Sequence, residues 1–171
     1  MEKTSKSIDN SNPVYASFFT FDPGSSGTGL TFFRNNKLIS SQSINSERCI
    51  WRDKCDEICY KVKAFIHYQL TSEITENCQI WCETPEYFDT LKGNVAAKAD
   101  SLVKLTTLYG RFWQIAVDFN CLFGTILAKT WKGQLNKLQT ANRIEKILGK
   151  TFATSHETDA VGIGLYLMGR F

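Results

Sequence analysis

The most constraining feature of the chain is the stretch Phe18-Phe19-Thr20-Phe21-Asp22-Pro23-Gly24-Ser25-Ser26-Gly27-Thr28-Gly29-Leu30-Thr31-Phe32-Phe33. Aromatic and β-branched residues suit a pleated, buried surface, and a Pro/Gly/Ser cluster breaks it, so the stretch reads as two strands joined by a turn. The first strand ends on a carboxylate, Asp22. Desolvating an acid is costly unless a cation or a donor compensates it, which makes Asp22 a candidate metal ligand. An ordinary Asp-Pro-Gly β-turn accounts for the same residues, with the carboxylate accepting backbone N–H bonds. The rest of the chain decides between the two.

With 171 residues and 43% hydrophobic content, the chain is long enough for one well-buried domain and short for two. Residues 1 to 14 are rich in Ser, Asn, Lys and Asp and read as a disordered tail, leaving 15 to 171 as the folded domain. No apolar run approaches the roughly 20 residues that span a bilayer, and a signal-peptide layout is absent, so a soluble, cytoplasmic protein without a membrane partner is expected. The six cysteines include no C-x-x-C pair, and their spacings fit neither a zinc site nor a disulfide framework. Charge is unevenly distributed. Residues 92 to 150 hold 10 Lys/Arg against 3 Asp/Glu, whereas residues 1 to 91 hold 9 against 12. A basic segment after acid-bearing elements suits a protein that holds a polyanion against an acidic centre, although Lys on the outer faces of solvated helices gives the same count.

After the first strand, Thr28 to Arg34 and Lys37 to Ile44 form a hairpin about Asn35-Asn36. From Arg52 to Leu70, apolar residues recur every three or four positions, giving an amphipathic helix that covers a sheet face; His67 near its end reads as a surface residue. Cys78 to Glu83 is another short apolar run that ends in an acid. If its strand lies parallel and next to the first, Asp22 and Glu83 meet; without a partner Glu83 is a solvated strand-end acid. A long helix from an Asn94 cap to Asp118 carries the stripe Ala96, Ala97, Leu102, Leu105, Leu108, Tyr109, Phe112, Trp113 and Ala116. A fifth strand covers Asn120 to Leu127. A basic loop follows over 128 to 137, then a helix from Leu138 to Leu148 stopped by Gly149. The last helix starts at a Ser155 cap and places His156 and Asp159 on one face of its first turn, with Glu157 turned away.

Three antiparallel strands, a helix, a strand, a long helix, a strand and two further helices make an α/β order similar to the ribonuclease-H-like fold, a mixed five-stranded sheet flanked by helices. The residues narrow the resemblance to RuvC-type Holliday junction resolvases. It rests on Phe21-Asp22-Pro23-Gly24 with Thr28-Gly29, on Glu83, on Ala99-Asp100-Ser101-Leu102-Val103-Lys104-Leu105 with Gly110 beyond, and on His156-x-x-Asp159-Ala160, across residues 16 to 169. The resemblance implies a metal-dependent endonuclease that acts as a homodimer on four-way DNA junctions, with Asp22, Glu83, His156 and Asp159 at catalytic, metal-binding positions. Carboxylates brought together repel unless cations neutralise them, and an oxygen-rich set selects Mg²⁺ or Mn²⁺, two per site for in-line phosphodiester hydrolysis.

Lys92, Lys98, Lys129, Lys132 and Lys137 are the candidate phosphate grip, and Lys132 and Lys137 resemble a basic pair of the family. With 6 to 10 phosphate contacts, affinity should fall by roughly 10³ to 10⁵ between 50 and 200 mM salt. Cellular family members place a Phe three residues after the second acid as a wedge against junction bases; here that position is Glu86, and Tyr87 and Phe88 are the wedge candidates. The stretch Trp131 to Leu135 resembles phage-encoded members, so a bacteriophage enzyme is expected. Two other readings stay open: a ribonuclease-H-like nuclease acting on other branched DNA or on structured RNA, and a junction-binding protein without catalysis. An actin-like ATPase needs a duplicated domain for which this length leaves no room.

Overall fold

The computed structural model describes residues 17–25, 27–70, 78–85 and 95–171, with the backbone alone at 95–98. Tyr87, Phe88, Lys92, the Asn94 cap and the N-terminal tail lie outside the described residues, as do the side chains of Ala96, Ala97 and Lys98. The strands are β1 (Ser17–Pro23), β2 (Gly27–Arg34), β3 (Lys37–Asn45), β4 (Gln79–Glu83) and β5 (Leu122–Ile126). The helices are α1 (Trp51–Leu70), α2 (Val95–Asp118), α3 (Ala128–Trp131), α4 (Lys137–Leu148) and α5 (Ser155–Leu167). The sheet order is β3-β2-β1-β4-β5, with β1–β2 and β2–β3 antiparallel and β1–β4 and β4–β5 parallel. This is the mixed five-stranded sheet expected from the sequence.

β1 is buried along nearly its whole length because it sits at the centre of the sheet with helices on both faces. Its side chains alternate. Phe19 and Phe21 enter the larger core with Ile58, Val62 and Phe65 of α1 and Leu108 and Phe112 of α2. Phe18, Thr20 and Asp22 share the other face, by the period of two. There Phe18 stacks on Phe33 at 5.0 Å, and the Thr20 hydroxyl donates to the Ala160 carbonyl of α5 at 2.6 Å. Asp22 therefore emerges on the side covered by α5. That helix comes very close: a Cβ on Gly164 would stand 2.0 Å from the Phe33 ring. Small residues at this contact set how near the last helix can lie to the sheet.

Four local expectations change. Trp113 does not belong to the buried stripe of α2; it is 58% exposed, while Leu108, Phe112, Ile115 and Ala116 face the sheet. One residue of helix turns a side chain by about 100°, enough to carry Trp113 from the core face to the outer one. The basic loop is interrupted by the short helix α3, which buries Trp131 beneath α5. Asn136 caps α4 with a full capping box to Gln139, so that helix starts at Lys137. Thr154, rather than Ser155, caps α5: its hydroxyl accepts from the Glu157 N–H at 3.1 Å. No helix among the described residues is long and apolar enough to cross a membrane.

Candidate active site

The parallel pairing of β1 and β4 sets Phe21 opposite Cys82, so the next residues, Asp22 and Glu83, leave the sheet side by side at one edge. α5 crosses that edge with its N-terminal turn. Gly29 lies opposite Asp22 in the β1–β2 ladder, and a Cβ there would stand 1.9 Å from the His156 carbonyl oxygen. The absence of a side chain at Gly29 thus lets the start of α5 rest on the sheet. Gly24 does the same beside the imidazole, where a Cβ would meet His156 Cε1 at 2.3 Å.

Asp22, Glu83, His156 and Asp159 all line one cavity of about 280 Å³, together with Pro23, Gly24, Ser25, Leu105, Lys137 and Ser155. The four acid and imidazole residues singled out from the sequence are thereby brought together. Each meets a protein partner. His156 Nδ1 lies 2.7 Å from Asp22 Oδ2, and Lys132 Nζ donates to Asp159 Oδ2 at 2.9 Å. The Trp131 indole Nε1–H donates to Glu83 Oε2 at 2.7 Å. Glu157 turns away as expected, accepting from the Ser41 hydroxyl at 2.7 Å and tying α5 to β3.

Of the basic candidates, Lys132 reaches into the cluster and Lys137 lines the cavity wall. Lys129 is exposed on α3. Trp131 joins the site although no site role for it is legible in the sequence. Only 2% exposed, it packs on Gly162, where a Cβ would stand 2.4 Å from its ring, and Lys132 Nζ lies 4.9 Å from its centroid. Its signal in the sequence is a lone Trp beside a basic residue, which resembles a core aromatic until the position of Glu83 is known.

The electrostatics follow from burial. Desolvation raises the Asp22 pKa above the usual carboxylate range, against the opposing pull of His156, and Asp159 adds to the rise. Burial, then the charge of Asp22, pushes Glu83 up to about 7, while Lys132 and the Trp131 hydrogen bond hold it back. The hydrogen bond to Asp22 raises His156. For Lys132, burial works against the ammonium, but Asp159, Glu83 and Asp22 outweigh it and the net shift is upward. Lys132 therefore stays charged and compensates part of the cluster.

These shifts set the sign of a stability effect. Glu83 binds its proton more tightly folded than unfolded, so its contribution is complete below pH 4.5 and is lost as the pH rises through about 7. Asp22 and His156, also raised, act in the same direction. In the presence of a chelator, unfolding free energy should fall by about 2–3 kcal/mol between pH 5 and 8 on this account. Denaturant melts across that range check it, and Glu83→Gln should flatten the slope.

No family model matches the chain, and no curated protein matches its sequence. Solved structures do match. Thermus thermophilus RuvC in complex with a Holliday junction substrate has a TM-score of 0.66 at 17% identity, covering 90% of this chain and 94% of that one. Thermus thermophilus RuvC by itself gives 0.60 at 16%, covering 90% and 95%. The yeast mitochondrial Holliday junction resolvase Ydc2 gives 0.58 at 10%, covering 91% and 78%. At these identities the likeness is one of fold, and it extends over nearly the whole chain: the protein has the mixed-sheet, ribonuclease-H-like α/β fold of the RuvC-type Holliday junction resolvases.

Proposed function

We propose that the protein is a divalent-metal-dependent endodeoxyribonuclease that resolves four-way DNA junctions by paired, symmetric nicks. The observation that carries this reading is the convergence of Asp22, Glu83, His156 and Asp159, from β1, β4 and α5, on one cavity with Lys137 at its wall and Lys132 paired to Asp159. Three acids from distant parts of the chain share a desolvated edge at a cost to stability, which a purely structural role leaves unexplained.

The chemistry of this set fits hard divalent cations. Among the described residues no three ligating side chains already stand as a chelating group. The donors are nevertheless carboxylate oxygens and one imidazole, and Asp22 and Glu83 are acids whose charged forms the protein alone disfavours. Asp22, Glu83 and Asp159, with His156, are the residues that would hold two Mg²⁺ or Mn²⁺ ions. Such ions supply Lewis acidity for activating water and for stabilising the leaving oxygen. The chain's own contribution is positional. Trp131 fixes one Glu83 oxygen, His156 fixes one Asp22 oxygen, and Lys132 and Lys137 present positive charge to a phosphodiester. Trp131→Phe keeps an aromatic ring, though a smaller one, and removes the donor; we expect cleavage slowed by about 10- to 100-fold at saturating DNA with KM nearly unchanged. Single-turnover kinetics check this.

Symmetric nicking needs two active sites, hence a homodimer. The outer face of α2 offers Val103, Trp113 and Val117, each more than half exposed, with Gly110 between them, where a Cβ would touch nothing within 4 Å. A second copy of the chain is the partner of this stripe in our reading. Trp113→Glu should leave the fold intact and shift the protein from dimer to monomer in sedimentation equilibrium.

The experiment that tests the function is cleavage of a synthetic mobile four-way junction in Mg²⁺ and in EDTA, with linear duplex and structured RNA as controls. Paired nicks confined to the junction and to Mg²⁺ are expected. Binding without nicks in either condition would replace the enzyme by a junction-binding protein, and preferential cutting of RNA would move the activity to another ribonuclease-H-like class.

A further inference from the structure

Ser25, at the rim of the active-site cavity, also borders a second depression of about 280 Å³. Lys54 of α1 and Lys104 and Ser101 of α2 line it, with Trp51 at its edge. Both lysines are half-buried, so part of each side chain is withdrawn from water around the depression. The Lys54 side chain has no ion pair or hydrogen bond among the described residues. Lys104 pairs with Asp100, but the carboxylate is the outer partner, its side chain 62% exposed against 31% for the lysine. An i,i+4 pair of this kind is weak and readily exchanged for a better anion. Asp100 also balances one of the two ammonium charges, which leaves the charge of Lys54 uncompensated within the depression.

We propose that this notch is a phosphate-binding subsite that takes a backbone phosphodiester of the DNA strand entering the active site, one or a few nucleotides from the phosphate that is cut. The inference rests on the nuclease reading above and extends it. Two ammonium groups and two serine hydroxyls face a single carboxylate, Asp100, among the lining residues, and this surplus of donors suits an anion. Continuity through Ser25 puts the notch on the path of a strand whose neighbouring phosphate lies against Asp22 and Glu83. The grip then has two parts: Lys132 and Lys137 at the acids, and Lys54 and Lys104 in the notch beyond Ser25.

The test is junction binding in Ca²⁺ as a function of salt for the unmodified protein, for the double variant Lys54→Gln, Lys104→Gln, and for Lys37→Gln. Lys37, the first residue of β3, lies at the opposite end of the sheet from Asp22 and serves as the control. The double variant should bind with a log–log salt slope shallower by about one for each contact removed, and should lose affinity on the order of tenfold near 0.1 M salt. Lys37→Gln should match the unmodified protein. Neutral methylphosphonate linkages placed singly around the cut site provide a second readout. One position should weaken the unmodified protein and leave the double variant unaffected. Equal slopes and affinities for all three proteins would overturn the proposal. So would stabilisation of the unmodified protein alone by inorganic phosphate in thermal melts while junction binding stays unchanged, because the notch would then serve free phosphate. If the unmodified protein binds no branched DNA at all, the nuclease reading fails first and the strand subsite falls with it.

Discussion

Asp22→Asn should abolish junction cleavage, by at least about 10³-fold, while the protein melts no lower than wild type at pH 8 in chelator. The two halves of this result have one cause. Asp22 is 5% exposed, and its raised pKa means that the folded state pays to keep it ionised even with His156 at 2.7 Å. Asparagine retains the size of the side chain and a carbonyl oxygen that still accepts from His156 Nδ1–H, so the packing survives and the charge penalty disappears. What disappears with it is the negative oxygen at the meeting point of β1, β4 and α5, where a cation-dependent reaction needs it most. Junction binding should persist, because Lys137 at the cavity wall and Lys132 beside Asp159 are untouched. Cleavage within tenfold of wild type would remove Asp22 from the catalytic set. A fall in melting temperature of many degrees would show that the carboxylate stabilises the fold rather than straining it.

Gly29→Ala should cost about 3 kcal/mol or more and lower the melting temperature by roughly 6–12 °C. Several glycines here leave no room for a methyl group, but at Gly162 and Gly164 the nearest atoms belong to side chains, whereas at Gly29 they are backbone. Its Cβ would stand 1.9 Å from the His156 carbonyl oxygen, 2.2 Å from the carbonyl carbon and 2.8 Å from the Glu157 amide nitrogen. All three are backbone atoms of the first turn of α5, so no rotamer change relieves the clash and the helix itself has to move. That movement carries His156 and Asp159 away from Asp22 and Glu83, and a displacement near 1 Å costs catalysis on the order of 10²-fold. Activity should therefore fall at temperatures where the variant is still folded. Gly110→Ala, made together with the monomerising Trp113→Glu and compared with Trp113→Glu alone, is the matching control, since nothing in the chain lies within 4 Å of a Cβ there. The melting temperature of the double variant should equal or exceed that of Trp113→Glu alone. A Gly29→Ala protein that melts and cuts like wild type would mean that α5 is not held by this contact.

The strand β1 shows how far a sequence can be read. Its apolar run and terminal acid are local facts, and a period of two decides that Asp22 shares a face with Phe18 and Thr20. The same logic places His156 and Asp159 on one side of α5 and turns Glu157 to Ser41. Trp113 of α2 reads as buried in the sequence and is exposed in the fold, because apolar content alone does not distinguish a residue facing the sheet from one facing outward. Trp131 was legible as an aromatic and illegible as a partner of Glu83: 48 residues separate them, and only the packing of α3 under α5 brings the indole to the carboxylate at 2.7 Å.

By itself, then, the sequence determined the order of strands and helices, the ends at which the acids emerge and the basic character of the segment after residue 92. These follow from short-range periodicity and from the turn preferences of Gly, Pro and Asn. Only the tertiary structure decided that Asp22, Glu83, His156 and Asp159 share one cavity, that Lys132 sits within their field and that Lys54 and Lys104 border a second depression next to it. Those pairings depend on which strands are neighbours and on how closely α5 can approach the sheet, and the close approach is permitted by glycines whose importance becomes visible only once the atoms opposite them are in place.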